Sequence, residues 1–127
     1  MKQIITVLIL ALFSSCDPMR VLVVKTSSSP ETSVTIYANT KITQDKEKTI
    51  ITTLSSHTPP KRGIKLYYGG VGGWNISFVK EFSENIDSII IINGNSKTIL
   101  NNQIEINEYL IKHRYGYAKR AIKIEAK

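Results

Sequence analysis

Cysteine is nearly absent from this chain: Cys16 is the only one in 127 residues. Without a second thiol no disulfide closes within the chain. Histidine is almost as scarce, with two, His57 and His113. His57 lies in the loop-forming run SSHTPP and His113 stands between Lys112 and Arg114. A zinc site needs more His or Cys ligands than these supply, so no metal and no cofactor are expected. Ser55-Ser56-His57 is not a triad, because adjacency in sequence does not set a hydroxyl against an imidazole. Acidic side chains number 10 against 17 basic ones, and no two stand in a context that suits paired acid–base work. The chain therefore reads as a non-enzyme. No apolar run reaches the roughly 18 residues of a membrane-spanning helix.

What the chain has instead is a marked beginning. Lys2 supplies a positive charge, Ile4 to Phe13 is almost wholly apolar, and Asp17-Pro18 breaks the run. As a helix this stretch covers about 15 Å, half of a bilayer core of about 30 Å. It is too short to span and has the length of a signal-peptide core. Ordinary secretory cleavage wants small residues one and three positions before the cut. Cuts after Ser15 or Ser14 would put bulky Phe13 or Leu12 at the farther position.

Phe13-Ser14-Ser15-Cys16 resembles the lipobox of bacterial lipoprotein signal peptides: a bulky apolar residue, two small ones, then cysteine. Phe13 stands where leucine is usual. The resemblance covers residues 1–16 and implies lipidation at Cys16, with a diacylglyceryl group on the thiol, cleavage before it and acylation (palmitate-type) of the new amine. It also accounts for the odd cysteine. It implies residues 1–15 as signal peptide, 16–20 as lipid anchor and short connection, and 21–127 as one β-rich domain. The implied place is the bacterial cell envelope, on the inner or outer membrane; Asp17 alone does not choose. The competing reading, a cytosolic protein whose first strand is IITVLILAL, is opposed by Lys2 and by the Cys-Asp-Pro break.

The remainder alternates. Val21–Lys25, Ser33–Ala38, Thr49–Leu54, Ile64–Tyr68, Ile86–Asn93, Ser96–Leu100 and Arg120–Ala126 read as strands, rich in β-branched residues. In Ile64–Tyr68, Lys65 and Tyr67 share the face opposite Ile64, Leu66 and Tyr68. Ile86–Asn93 holds four successive isoleucines, as a central strand does, and Asn93-Gly94-Asn95 is a hairpin turn signal. Trp74–Val79 also alternates and reads as a strand, although Phe78 and Phe82 also stand one helical turn apart. Asn107 could cap one helix running to Tyr115, with Gly116 ending it. The expected fold is mainly β: a small antiparallel, Ig-like β-sandwich with at most one short helix near residues 107–115.

Two stretches are candidate binding sites. Gly69, Gly70, Gly72 and Gly73 precede Trp74. They match neither G-x-G-x-x-G nor a P-loop, so the stretch is either a plain turn before a core tryptophan or a binding loop with an aromatic anchor. The C-terminal segment carries Lys112, Arg114, Lys119 and Arg120 with Tyr115 among them. Basic residues interleaved with tyrosine would suit nucleic acid in a cytosolic protein; export turns the reading toward anionic lipid, an acidic polysaccharide or an acidic protein. A plain solvated face is the alternative, since the chain is lysine-rich throughout and has a net charge of +7. No nucleic-acid partner is expected. The leading expectation is a lipid-anchored envelope protein whose non-catalytic domain binds or scaffolds. The second is a membrane-proximal inhibitor or immunity-type protein acting through Gly69–Trp74.

Overall fold

The computed structural model describes residues 19–27, 31–39, 42, 50–55, 63–69 and 72–127. Cys16 and the rest of the signal-like segment, and Gly70, lie outside the described residues. Eight strands and two α-helices follow in chain order. They are β1 (Arg20–Thr26), β2 (Thr32–Ala38), β3 (Ile50–Ser55), β4 (Ile64–Tyr68), α1 (Ile76–Ser83), β5 (Ile86–Asn93), β6 (Ser96–Leu100), α2 (Gln103–Lys112), β7 (Arg114–Tyr115) and β8 (Ala121–Ala126). A short 3₁₀ turn, Tyr117–Lys119, joins β7 to β8. One four-stranded sheet runs β4-β1-β8-β7 and the other β3-β2-β5-β6.

Alternation explains the two faces. Leu22, Val24, Ile122 and Ile124 of the first sheet and Val34, Ile36, Ile89 and Ile91 of the second all enter one buried cluster. Burying such side chains contributes about 1.5–3 kcal/mol each. At the Tyr37/Ala38 step the β2–β5 register shifts, so that Ala38 pairs with Ile86 while Tyr37 pairs with Ser88. This bulge lets Ile86 reach the core beside Ile89, which strict two-residue alternation forbids. Asn93 pairs with Ser96 across the tight Gly94-Asn95 turn, as the turn signal predicts.

The structure departs from the expectations at four places. First, Trp74–Val79 is not a strand. Asn75 caps α1, its side-chain oxygen accepting from the Phe78 amide at 2.7 Å, and the helix buries Val79 and Phe82. Helical spacing wins because it collects Phe78 and Phe82 around Trp74, at ring distances of 5.4 and 4.9 Å. Second, there are therefore two α-helices among the described residues rather than at most one. Third, the later helix starts earlier: Asn102, not Asn107, is the cap, accepting from the Ile104 amide at 2.8 Å. That helix ends at Lys112, and Arg114–Tyr115 pairs with β8 instead of extending it. Fourth, the pairing is not wholly antiparallel, because β1 and β8 run parallel. The first and last described strands are side by side in the middle of one sheet, with both Leu22 and Ile122 fully buried.

Candidate functional site

The Gly69–Trp74 stretch is held from three sides. Arg20, only 7 % exposed, donates from Nε to the Gly73 carbonyl (3.1 Å) and from Nη1 to the Gly69 carbonyl (3.0 Å). Its guanidinium lies 3.8 Å from the centre of the Phe78 ring. Arg114 donates from Nη1 to the Trp74 carbonyl at 2.9 Å. The Trp74 amide donates to the Lys119 carbonyl at 2.9 Å. Gly73 has to be glycine here, since a Cβ would run into the Ala118 carbonyl. Trp74 itself is 0 % exposed, with its indole N–H donating to the Val21 carbonyl at 3.1 Å. It is a core residue, hydrogen-bonded as buried indoles are. Gly69 is exposed, while Gly72 and Gly73 are half-buried.

Beside it, Tyr68 meets Trp74 and Phe82 edge-on at 5.8 and 4.9 Å. Its hydroxyl is buried with no hydrogen-bond partner among the described residues. Burial pushes this phenol up from 10.0 to about 12, because the phenolate would lose its solvation. Tyr109 is raised as well, by burial first and by the Glu125 charge second. Tyr109 stacks on His113 at 4.0 Å, whose Nδ1 donates to the Tyr109 carbonyl at 2.7 Å.

The C-terminal basic residues separate into different places. Lys112 is exposed at the end of α2, and Lys119 is exposed on the turn before β8. Arg114 points inward and spends its donors on main-chain carbonyls, Trp74 and, at 3.0 Å, Ile111. Lys123 lies on β8 and pairs with Glu125 at 3.1 Å. Arg120 and Tyr115, by contrast, come together on the outer face of the β4-β1-β8-β7 sheet.

That face carries a trough. Tyr67 on β4, Val21 on β1, Ala121 on β8 and Tyr115 on β7 are register partners. They form one row across all four strands on the side away from the core. Tyr67 and Tyr115, on the two edge strands, are 52 % and 42 % exposed. Their Cα atoms stand three strand spacings apart, about 14 Å. The adjacent row of the three longer strands is Lys65, Val23 and Lys123. Val23 and Ala121 point outward yet are only 5 % and 6 % exposed, so the longer side chains around them overhang a shallow apolar floor. The trough holds about 240 Å³, with Lys65 and Arg120 in its lining and no acidic residue among the described residues that line it. Gly116, at φ 81°, closes the β7 end, where an added Cβ would touch the Arg120 side chain at 3.6 Å. The main chain of Arg120 is fixed to the floor, its carbonyl accepting from the Val21 amide at 2.9 Å.

Lys65 and Tyr67 were visible in the sequence as the outward positions of an alternating strand. Nothing in sequence spacing placed them beside Tyr115 and Arg120, some fifty residues away, because that juxtaposition depends on the strand order. A second hollow, about 220 Å³, lies between the helices and is lined by both signs of charge, Lys80 with Glu84 and Glu108. Among the described residues no cluster of three or more His, Cys, Asp or Glu side chains forms a metal site. No helix among them is long and apolar enough to cross a membrane. No protein-family model, curated protein or solved structure matches the chain.

Proposed function

We propose that this chain is a lipid-anchored envelope protein whose non-catalytic domain, a small Ig-like β-sandwich, binds a ligand on the outer face of the β4-β1-β8-β7 sheet. The observation that carries the binding role is the trough: two half-exposed tyrosines, an apolar floor and cations with no carboxylate among the described lining residues. Such a lining suits holding an anionic partner. One core shared by two four-stranded sheets supports the sandwich. Phe13-Ser14-Ser15-Cys16 supports the anchor, and the few residues from Cys16 to Arg20 keep the domain close to the bilayer. The inhibitor reading loses its anchor group, because Trp74 is buried and tied to β1 rather than presented on a loop.

Two measurements test this reading. Cys16→Ser should leave the chain unprocessed or release it from the membrane fraction; a variant still processed and membrane-bound overturns the lipid anchor. Wild-type protein and the Tyr67→Ala/Tyr115→Ala double variant are then compared for retention of envelope components. Components held by both alike would show that the trough is not the binding face.

A further inference from the structure

The trough can be read one step further, toward the chemistry of its ligand, and this step rests on the binding role just proposed. We infer that it takes an acidic polysaccharide, one uronate-type sugar ring at a time, with the ring against a tyrosine wall and the carboxylate toward Lys65 and Arg120.

Four features carry the assignment. The charge is one-sided: the described lining holds Lys65 and Arg120 and no acid, while Glu125, the nearest carboxylate along β8, is engaged by Lys123 at 3.1 Å and Lys127 at 3.9 Å. A guanidinium at one end offers forked donors matched to a planar carboxylate. The walls are aromatic and the floor is not. Tyr67 and Tyr115 rise from the edge strands, with Val21 and Ala121 between them. A sugar ring presents a face of C–H groups, weakly positive, to the negative face of an aromatic ring, and its hydroxyl edges stay in water above the apolar floor. The size is small: about 240 Å³ falls below the roughly 300–1,000 Å³ of pockets that enclose a whole drug-sized ligand. It fits one ring of a longer chain passing across an open surface.

The arrangement disfavours nucleic acid. Sheets that bind single strands set their aromatics on the sheet surface so that bases stack flat upon them; here the two central strands contribute Val21 and Ala121. Anionic lipid is the nearer competitor. Val21 follows Cys16 by five residues, so the trough lies within about 18 Å of the anchor. A bare phosphate headgroup, however, gives the two tyrosines nothing to stack against.

The test titrates the full chain, held in neutral phosphatidylcholine nanodiscs free of detergent, with a polygalacturonate oligomer, its methyl-esterified counterpart, a single-stranded DNA oligomer and phosphatidylglycerol vesicles. The acidic oligomer should bind, and the ester at least about tenfold more weakly. Tyr67→Ala and Tyr115→Ala should each weaken binding about tenfold, the scale of one lost ring-stacking contact. Lys65→Gln/Arg120→Gln should lower affinity and flatten its salt dependence. The four side chains are outward-facing, and unchanged melting curves would show that the variants fold. Equal binding of the ester, failure of the acidic oligomer to bind, or tyrosine variants that bind it as wild type would overturn the inference. So would tighter, tyrosine-dependent binding of DNA or vesicles, which would spare the binding face and sink only the glycan. Envelope retention insensitive to the double variant would sink both.

Discussion

Arg20 shows how much one side chain can organise. A guanidinium at 7 % exposure satisfies two carbonyls of a glycine-rich loop and covers a phenyl ring. Its chain position is ordinary, just before an apolar strand, and nothing in the sequence marks it as buried. Arg20→Met keeps most of the volume but leaves the Gly69 and Gly73 carbonyls without their charged donor, and should cost about 2–4 kcal/mol in urea unfolding. Arg20→Lys should recover only part, because an ammonium cannot reach both carbonyls as a fork does. Tyr68 gives the opposite case, a polar atom whose removal helps. Its hydroxyl is buried without a partner among the described residues, so Tyr68→Phe should be neutral or stabilising at pH 7. The folded-state pKa is raised from 10.0 to about 12. The unfolded chain therefore loses this proton first as pH rises. The contribution is intact below pH 10 and is lost between about 10 and 12, on the order of 2 kcal/mol. Alkaline unfolding curves should show a shallower fall for Tyr68→Phe; an unchanged fall would mean that Tyr68 is not its source.

At the scale of elements, alternation made strands legible and capping decided the helices. Ile64–Tyr68, Ile86–Asn93 and Ser96–Leu100 have the same bounds in structure as in pattern: the first two each set one face toward the core, and the third is fixed by the tight turn after Asn93. Trp74–Val79 was ambiguous in pattern because period two and period four both fit its apolar residues. The deciding terms are the Asn75 cap and the aromatic cluster that α1 completes; the second cannot be seen before the chain is folded. Asn75→Ala should cost about 1 kcal/mol, while Asn75→Asp should be tolerated, because a carboxylate caps as well and suits a helix N-terminus. Chemical denaturation with an unchanged slope reads this directly. Equal losses for both variants would mean that the cap is not what holds α1. The site was half legible in the same way: Tyr115 and Arg120 lay in a segment already singled out for its charge, whereas Lys65 and Tyr67 were merely the polar side of a strand.

For the molecule as a whole, the defining event is the parallel pairing of β1 with β8. It joins the start of the described chain to its end, sets β8 inside a sheet, and creates the floor of the trough from Val21 and Ala121. A chain ending at Arg120 should lose cooperative unfolding altogether, since it removes Ile122 and Ile124 from the core and leaves β1 with an open edge. Circular dichroism during denaturation distinguishes this from simple fraying; a sharp transition in the truncated chain would show that β8 is dispensable. Composition and periodicity alone determined that the chain is mainly β, where seven of its strands run, and which residues of β2, β4 and β8 share a face, because these depend on the order of apolar and polar residues along a few positions. The signal-like start with its cysteine, likewise, was a matter of local sequence. Strand order, the β2–β5 bulge, the buried Arg20 and the placing of Tyr67 and Tyr115 on opposite sides of one trough depended on tertiary structure. They arise from pairings between segments far apart in the chain, and such pairings are chosen by the joint packing of one core rather than by any stretch of residues taken alone.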